Sequence, residues 1–385
     1  MNASNSTFPN GWTRKPLCEL AHVKTGSRNN QDKDARGRYP FFVRSSQVER
    51  IDSFSYSDEA ILIPGEGGIG SIFHYINGPH EVHQRVYRIS DFADDIDPRY
   101  LYSYIARFFG AHAMQNTVKA TVDSLRLPTF LEFVVDLPPV GEQRAIAAAL
   151  TDAAAWVESL DALIAKKRDM FAGMCQMLLT GTQRLPGFER DWVTKPLGEI
   201  ASFVKGSGLS KAALVDDGTE PCIHYGELFT KYPFAIDTVI SRCFPFAGAV
   251  RSQDGDVLFP ASDVTPSGLG TAASVMVEGV ILGGDVLVAR PDAAAAYGPF
   301  ISAWIRTNSS AVLRLVKGST VYHLHAKDLA DLAITYPSLD EQHAIAGMLA
   351  DASAEIDAVV VQRDKAELIR QGMAQDLLSG KVRLV

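Results

Sequence analysis

The chain has 385 residues, of which 46% are hydrophobic and 21% charged, and its formal net charge is −8. This length can bury two cores, the composition excludes a disordered chain, and the charge argues mildly against a protein that binds nucleic acid by charge alone. There is no apolar run of membrane-spanning length, no secretion signal at the start and no CxxC spacing among the four cysteines. We therefore expect a cytoplasmic protein with reduced thiols.

Residues 1–137 are predicted to form a first globular domain. Three strand-like runs, Ala60–Pro64, Ser71–Ile76 and Arg85–Ile89, alternate with Gly, Asp and Pro turns, and the aromatic-rich segment Pro98–Phe109 has a helical pattern. These elements predict an α+β domain with a twisted, mainly antiparallel sheet.

One stretch of this domain is basic. Residues 14–50 contain nine Lys/Arg against four Asp/Glu, and they are also rich in Gly, Ser and Asn. Such a segment can follow a phosphate backbone. On charge alone, a solvated loop explains it equally well.

Several segments resemble catalytic or ligand-binding motifs, but the residues around them do not support those functions. Gly65-x-Gly67-x-x-Gly70 has the dinucleotide-binding spacing, but a strand rather than a helix is predicted after it, which favours a glycine-rich loop. Leu137-Pro138-Pro139 lacks the Asp or Asn that an adenine methyltransferase has before its Pro-Pro pair. Two short pairs offer too few ligands for zinc, namely Cys222 with His224 and His323 with His325. We expect no catalytic residue and no metal site.

Residues 138–185 are predicted to form a helical spacer of about 38 residues. Pro138-Pro139 ends the preceding strand, Glu142 falls in the first turn, and Gly181 ends the helix. Apolar residues recur at alternating spacings of three and four, which is the pattern of a heptad seam.

Residues 186–336 are predicted to form a second domain of the same fold. Strand-like runs at 256–260, 273–277 and 285–289 precede a helical segment, Gly298–Thr307. Three phrases of the first domain return here, at Trp192–Ala201 for Trp12–Ala21, at Val257–Pro260 for Ile61–Pro64, and at Thr320-Val321 for Thr121-Val122.

Residues 337–385 repeat the spacer. Residues 337–384 align with 138–185 without a gap, at an offset of 199 and with 19 identities in 48 positions. The order is therefore variable domain, helix, variable domain, helix. If the two helices pair, chain order requires them to be antiparallel, with pseudo-two-fold symmetry and the domains held apart.

The predicted seam comprises fourteen residues. Arg363 and Arg370 interrupt it in the second repeat, so we expect the apolar line to shift through Ala366 and Ile369 there, as an inserted stammer would do. The seam residues are Ile146, Leu150, Val157, Leu160, Ile164, Phe171, Met174, Leu178, Ile345, Leu349, Ile356, Val359, Met373 and Leu377.

The end of each variable domain carries a sequence element that resembles a known family. Leu137–Ile146 and Tyr336–Ile345 share a Pro-x-x-x-Glu-Gln element before a long heptad helix that closes in Leu-Leu-x-Gly, and Trp192–Ile200 opens the second domain. Over essentially the whole chain, this pattern resembles the specificity subunits of type I restriction-modification systems. The resemblance implies a non-catalytic protein of prokaryotic cytoplasm that reads a split, asymmetric DNA site with two target-recognition domains.

The resemblance also implies partners. These are double-stranded DNA, two methyltransferase (modification) subunits that bind the helices, and ATP-dependent restriction subunits in the full complex. No cofactor is expected on this chain, since S-adenosylmethionine belongs to the modification subunit. Candidate DNA-binding residues are Lys24, Arg28, Arg36, Arg38 and Arg44 in the first domain, and Lys205, Ser207, Lys211, Tyr225, Arg251, Lys317 and His323 in the second.

Other classes of function remain open at this point. A coiled-coil scaffold that joins partners without touching DNA would leave the basic stretch 14–50 dispensable. The specificity half of a related methyltransferase-nuclease system would share the architecture. A fused methyltransferase or nuclease is disfavoured because its motifs are missing.

Overall fold

The computed structural model describes residues 9–115 and 124–384. It divides into two compact units, of which unit 1 comprises 1–161 and 361–385, and unit 2 comprises 162–360. Two 40-residue helices, α3 (Val140–Leu179) and α8 (Leu339–Leu378), each contribute one half to each unit. Each unit thus joins one variable segment to halves of both helices. The phrase Thr121-Val122 and the start of the chain lie outside the described residues.

Unit 1 is an α+β fold with one main sheet. Its strands are β1 (Thr13–Pro16), β2 (His22–Thr25), β3 (Tyr39–Phe42), β4 (Glu49–Ile51), β5 (Tyr56–Pro64), β6 (His74–Val82), β7 (Val86–Ser90) and β8 (Val134–Leu137), and its short helices are α1 (Pro98–Gln115) and α2 (Leu127–Leu131). The order in the main sheet is β2-β7-β5-β6-β3-β4. All pairs are antiparallel except β3 with β6.

The core of unit 1 lies between this sheet and α1. Ile61, Ile63 and Ile89 of the sheet share one buried cluster with Tyr100 and Phe109 of α1. A helix with apolar residues on one stripe buries that stripe against the apolar face of a sheet. The prediction of a strand over 71–76 was wrong at its start, since residues 71–73 precede β6 and belong to no strand.

Unit 2 has the same plan with additional short strands. Its strands are β9 (Val193–Pro196), β10 (Ala201–Lys205), β11 (Glu220–Ile223), β12 (Ala235–Ile236), β13 (Arg242–Cys243), β14 (Val250–Arg251), β15 (Asp256–Pro260), β16 (Ser262–Asp263), β17 (Ala273–Val275), β18 (Ile281–Leu282), β19 (Val286–Pro291), β20 (Lys317–Gly318), β21 (Tyr322–His323) and β22 (Ala333–Tyr336). Its short helices are α4 (Leu197–Ile200), α5 (Gly298–Thr307), α6 (Ser309–Leu313) and α7 (Ala326–Ala330). The main sheet has the order β10-β19-β15-β17-β12, and a second sheet the order β13-β11-β18-β14.

Strand register confirms that one fold is used twice. In each main sheet the strand that comes first in the chain pairs with the one that comes last, β2 with β7 and β10 with β19, and that last strand also pairs with β5 or β15 in the same register. The equivalent pairs are Val23 with Ile89 and Phe203 with Ala289 at the sheet edge, then Pro64 with Val86 and Pro260 with Val286 at the centre. The predicted α+β class with a mainly antiparallel sheet is therefore confirmed in both units.

In unit 1 the two helical segments run antiparallel. Ile146 near the start of α3 shares a core cluster with Leu377 near the end of α8. Further along, Asp161 of α3 forms an ion pair of 3.1 Å with Arg363 of α8. Residues later in α3 therefore contact residues earlier in α8, which is the antiparallel arrangement.

In unit 2 the complementary halves do the same. Leu178 of α3 shares a core cluster with Ile345 and Leu349 of α8. Earlier in α3, Lys167 forms an ion pair of 2.7 Å with Glu355. Each of the fourteen predicted seam residues is buried or half-buried.

The expected shift of the apolar line in the second repeat was wrong at Ile369. Ala366 is buried as expected, but Ile369 is 43% exposed. Arg370 instead turns inward and is half-buried, held by a bidentate ion pair with Glu367. The seam therefore tolerates a cation, because its charge is compensated one helical turn away. None of the described helices is long and apolar enough to cross a membrane.

The seam yields a matched prediction on one helix. Leu349 is fully buried in unit 2, whereas Leu368 is 68% exposed. Leu349→Ala should lower the free energy of unfolding by about 2–5 kcal/mol, because it removes buried methyl groups and leaves a cavity. Leu368→Ala makes the same chemical change and should cost under about 0.5 kcal/mol. Urea unfolding of both variants checks this, and equal effects would place Leu349 outside the core.

Candidate DNA-binding surface and helix junctions

Each unit has a junction where one helix begins and the other ends, and in unit 1 it is built on Glu142. The Glu142 side chain is 3% exposed and accepts two hydrogen bonds of 2.7 Å from Arg383, which follows α8. The guanidinium also lies over the Trp12 ring, 5.6 Å from its centroid. The hydrogen bonds from Arg383 lower the pKa of Glu142, so this carboxylate is charged in the folded protein.

The junction of unit 2 repeats these contacts with residues of the other repeat. Glu341 is 1% exposed and accepts two hydrogen bonds of 2.7 Å from Arg184, which follows α3. The Arg184 guanidinium lies 5.7 Å from the centroid of the Trp192 ring. The helix that ends in each unit thus supplies the cation for the helix that begins there.

The neighbouring glutamine fastens each helix start to its own globular part. Gln143 accepts a hydrogen bond of 2.8 Å from the Asp97 backbone and donates to the carbonyl oxygens of Asp95 and Pro138. Gln342 makes the same three bonds in unit 2, with Tyr297, Ala295 and Pro337. The Glu-Gln motif of the sequence therefore has a structural role in both copies.

Glycine is required where each helix ends. Gly181 and Gly380 both have a φ of +71°, a backbone conformation that side chains with a Cβ disfavour. A Cβ on Gly380 would lie 2.3 Å from a Pro9 side-chain atom, and one on Gly181 would lie 3.3 Å from the Trp192 ring. The turn brings Arg383 or Arg184 back to its glutamate. Sequence reasoning did not single out these arginines, although both are identities of the repeat.

The predicted DNA-binding residues of unit 1 fall into two groups. Three are already ion-paired, namely Arg28 with Glu81 at 3.2 Å, Arg38 with Asp52 at 2.6 Å, and Arg44 with Glu66 at 3.2 Å. Lys24 and Arg36 are exposed and make no ion pair with any residue that the structure describes. Arg28 has a structural role, because its partner Glu81 is fully buried.

In unit 2 two of the candidates, Lys317 and His323, are brought together by short strands. Lys317 pairs in register with His323, which in turn pairs with Ser262. Lys205 lies near this set, because its ammonium is 3.9 Å from Asp285, whose carboxylate accepts a hydrogen bond from Ser262.

The remaining candidates of unit 2 belong to its second sheet and the loops around it. Ser207 donates a hydrogen bond to the Gly248 carbonyl, and Arg251 forms an ion pair of 3.0 Å with Glu220. Tyr225 has ring contacts with His224 and Phe229, and Lys211 is exposed. The structure therefore does not gather all seven candidates into one site.

Unit 2 also carries an apolar cavity on its helical part. The cavity has a volume of about 710 Å³ and lies against α3 and α8. Four methionines are among its fifteen lining residues, and three of them are exposed, namely Met170, Met177 and Met348. Exposed methionines adapt their shape to a partner surface more readily than branched residues do.

The Glu142 junction gives a prediction that depends on pH. Glu142→Gln should lower the free energy of unfolding of unit 1 by about 1.5–3 kcal/mol at pH 7, because it removes the charge of the carboxylate that accepts two hydrogen bonds from Arg383. Since folding lowers the pKa of Glu142 from 4.5, the stabilisation is complete above pH 4.5 and is lost as the pH falls through the folded value.

Urea unfolding of variant and wild type from pH 7 to pH 3 measures this difference, which should shrink in acid. Glu355→Gln is the matched control, since its ion pair with Lys167 is exposed, and it should leave stability unchanged. A difference that stays constant down to pH 3 would contradict the assignment.

Both repeats of this architecture resemble known proteins. The family model of the type I restriction modification DNA specificity domain matches residues 9–165 and again 189–363. The EcoDI specificity subunit of Escherichia coli is 29% identical over 177 residues, which cover 46% of this chain and 39% of that protein. The EcoBI specificity subunit of Escherichia coli is 24% identical over 357 residues, covering 84% of this chain and 73% of that protein.

Two solved structures share the fold. The S subunit of a type I restriction-modification system from M. genitalium aligns with a TM-score of 0.66 at 16% identity, covering 98% of both chains. A chain from a study of complex assembly and conformational transition of the type I R-M system aligns with a TM-score of 0.59 at 15% identity, covering 98% of this chain and 100% of that one. With its two matched copies of the domain, the chain belongs to the family of type I restriction-modification specificity subunits.

Proposed function

We propose that this chain is the non-catalytic DNA-recognition subunit of a type I restriction-modification complex, and that it reads a bipartite, asymmetric site with one half-site for each unit. The observation that carries the proposal is a single fold present twice with matched backbone register and different surface side chains. Two identical readers would suit a palindrome, whereas two unlike readers on one chain suit a site with unlike halves.

The charges of the two units agree with this role. Lys24 and Arg36 in unit 1 and Lys211 in unit 2 are exposed, so their cations are available to phosphate oxygens. Phosphate contacts position a protein on DNA, and base contacts give the sequence preference. Because the formal charge is −8, we expect the modification subunits to supply part of the phosphate contact.

Two modification subunits are the expected partners, and the catalytic chemistry belongs to them. They would bring S-adenosylmethionine and the adenine methylation, and restriction subunits would join the larger assembly. The methionine-lined cavity on α3 and α8 offers an apolar docking surface in unit 2. A partner helix laid into such a groove would bury its apolar face there.

Exchange of residues 186–336 for the matching segment of a related specificity subunit tests the two-reader proposal. Only one half of the recognised site should change, because the first segment and both helices keep their residues. Mapping of methylated adenines in DNA modified by the reconstituted complex provides the readout. A change in both halves, or in neither, contradicts the proposal, and so does a wild-type complex without sequence preference.

Docking on the methionine-lined cavity gives a second prediction. Met170 is 63% exposed and lines the cavity, so Met170→Glu should leave folding intact and put an unpaired carboxylate into the buried contact. We expect the affinity for the modification subunit to fall at least tenfold in a titration followed by calorimetry.

Gln176→Glu is the control, because Gln176 is exposed on the same helix and is not part of the cavity lining. It adds the same charge and should bind as the wild type does. Equal affinity of both variants would exclude this surface from the partner interface.

A further inference from the structure

Backbone hydrogen bonds place Arg85 of unit 1 and Asp285 of unit 2 at equivalent positions. The Arg85 carbonyl accepts from the N–H of Gly65, and the Asp285 carbonyl accepts from the N–H of Ala261, each at 2.8 Å. Gly65 and Ala261 directly follow the equivalent strands β5 and β15.

The residues after Gly65 and Ala261 are equivalent as well. Gly65 accepts a hydrogen bond from Leu125, and Ala261 accepts one from Leu324. Glu66 forms an isolated bridge with Ser124, and Ser262 pairs with His323. Glu66 of unit 1 therefore corresponds to Ser262 of unit 2. The two folds agree in backbone at this place and differ in side chain.

In unit 1 this place holds the Glu66 cluster, which we define as Arg44, Glu66 and Arg85. The Glu66 carboxylate lies between the two guanidiniums, 3.2 Å from Arg44 and 3.4 Å from Arg85. Glu66 is 20% exposed, whereas Arg44 and Arg85 are 49% and 61% exposed. The carboxylate thus orients two guanidiniums whose remaining donors are open to solvent.

Two surface hollows meet at Glu66. One has a volume of about 350 Å³ and the other about 410 Å³, and Glu66 lines both. Their walls carry further side chains that hydrogen-bond, including Asn30 and Gln84. The backbone here is held firmly, since the Arg85 N–H donates to Nδ1 of His83 at 3.0 Å. Burial and the nearby Arg44 lower the pKa of His83, which keeps that acceptor neutral.

In unit 2 the same place holds the Asp285 cluster, which we define as Lys205, Ser262 and Asp285. Ser262 donates a hydrogen bond of 3.2 Å to Asp285, and the Lys205 ammonium lies 3.9 Å from the same carboxylate. The charge at the position of Arg85 is therefore reversed, and the carboxylate at the position of Glu66 is replaced by a hydroxyl.

We infer that the Glu66 cluster and the Asp285 cluster determine which bases the two units read. The inference rests on the proposed function and extends it to named residues. An arginine fork donates two hydrogen bonds to guanine O6 and N7, whereas a carboxylate accepts from the amino group of cytosine. Reversal of charge at one backbone position would give the two units different base preferences without any change of fold.

A purely stabilising role fits these residues less well. Ion pairs that stabilise a buried site lie inside it, as Arg383 and Arg184 do with glutamates that are nearly inaccessible. Arg85 and Arg44 are instead half-exposed or more. Exposed ion pairs contribute little to stability, so this cluster has no evident structural reason to differ between the units.

Selection of DNA sequences by the complete complex tests the inference. The complex of this chain with its modification subunits is mixed with duplexes in which both half-sites are randomised, and bound sequences are determined. Glu66→Gln and Arg85→Gln should each change the selected bases in one half-site only. Asp285→Asn should change the other half-site only. The affinity for the original site should fall about tenfold or more, the discrimination of one bidentate base contact.

Two further variants keep the result interpretable. Arg85→Lys retains the charge but loses the planar fork, so it should lose base preference while keeping affinity for non-specific DNA. Lys381→Gln removes a cation from an exposed ion pair with Asp376, outside both clusters, and should select the wild-type sequence.

The outcomes separate the inference from the proposed function. A wild-type complex that selects no sequence would overturn both. A wild-type complex that selects a bipartite site, with cluster variants that select the same site, would overturn the inference alone. A uniform loss of affinity without any change in the selected bases would also overturn it, since that result identifies phosphate contacts.

Discussion

The buried glutamate at the start of each long helix is the constraint on which the rest of the structure depends. Glu142 and Glu341 are almost fully inaccessible, and each is neutralised by one arginine, Arg383 or Arg184. A buried carboxylate without its partner costs several kcal/mol. In each unit, therefore, the helix that begins must meet the helix that ends, which requires the two halves to run antiparallel.

That constraint leaves the Glu66 cluster and the Asp285 cluster free to vary. The junctions use Glu, Gln, Trp, Gly and Arg at the same places in both units. The Glu66 and Asp285 clusters differ, although the surrounding backbone bonds are the same. Stability comes from the junctions and the sheet cores, so substitutions at the clusters change surface chemistry at little energetic cost. Such a division would suit the proposed role of two units that recognise different DNA sequences.

The sequence was informative where the signal is periodic or repeated. The alternating spacing from Ile146 to Leu178 predicts a helix with one buried face, and all seam residues are indeed buried or half-buried. The helix predicted over Gly298–Thr307, after a set of strands that matches the first domain, is also present. Local pattern failed at Ile369, because the compensating pair of Arg370 with Glu367 depends on side-chain geometry.

Contacts between distant residues were not accessible from the sequence. In the sequence, the basic stretch 14–50 looks like a series of unpaired cations. Three of these cations have carboxylate partners in the structure, namely Arg28 with Glu81, Arg38 with Asp52 and Arg44 with Glu66. Their pairing is set by how the strands lie together. In the same way, the identity of Arg184 and Arg383 in the two repeats is visible in the sequence, but their glutamate partners lie 157 and 241 residues away.

Under the proposed function, paired cations would allow an acidic chain to recognise DNA by sequence. A cation already held by a carboxylate adds little non-specific attraction for phosphate, since that attraction depends on uncompensated charge. Separation of an exposed ion pair costs only about 0–1 kcal/mol, whereas a correct bidentate base contact contributes about 1–3 kcal/mol of discrimination. At Arg44, Glu66 and Arg85 the exchange of partners would therefore be favourable on the right base and unfavourable on a wrong one. On this proposal, the carboxylate that weakens general binding would also strengthen discrimination.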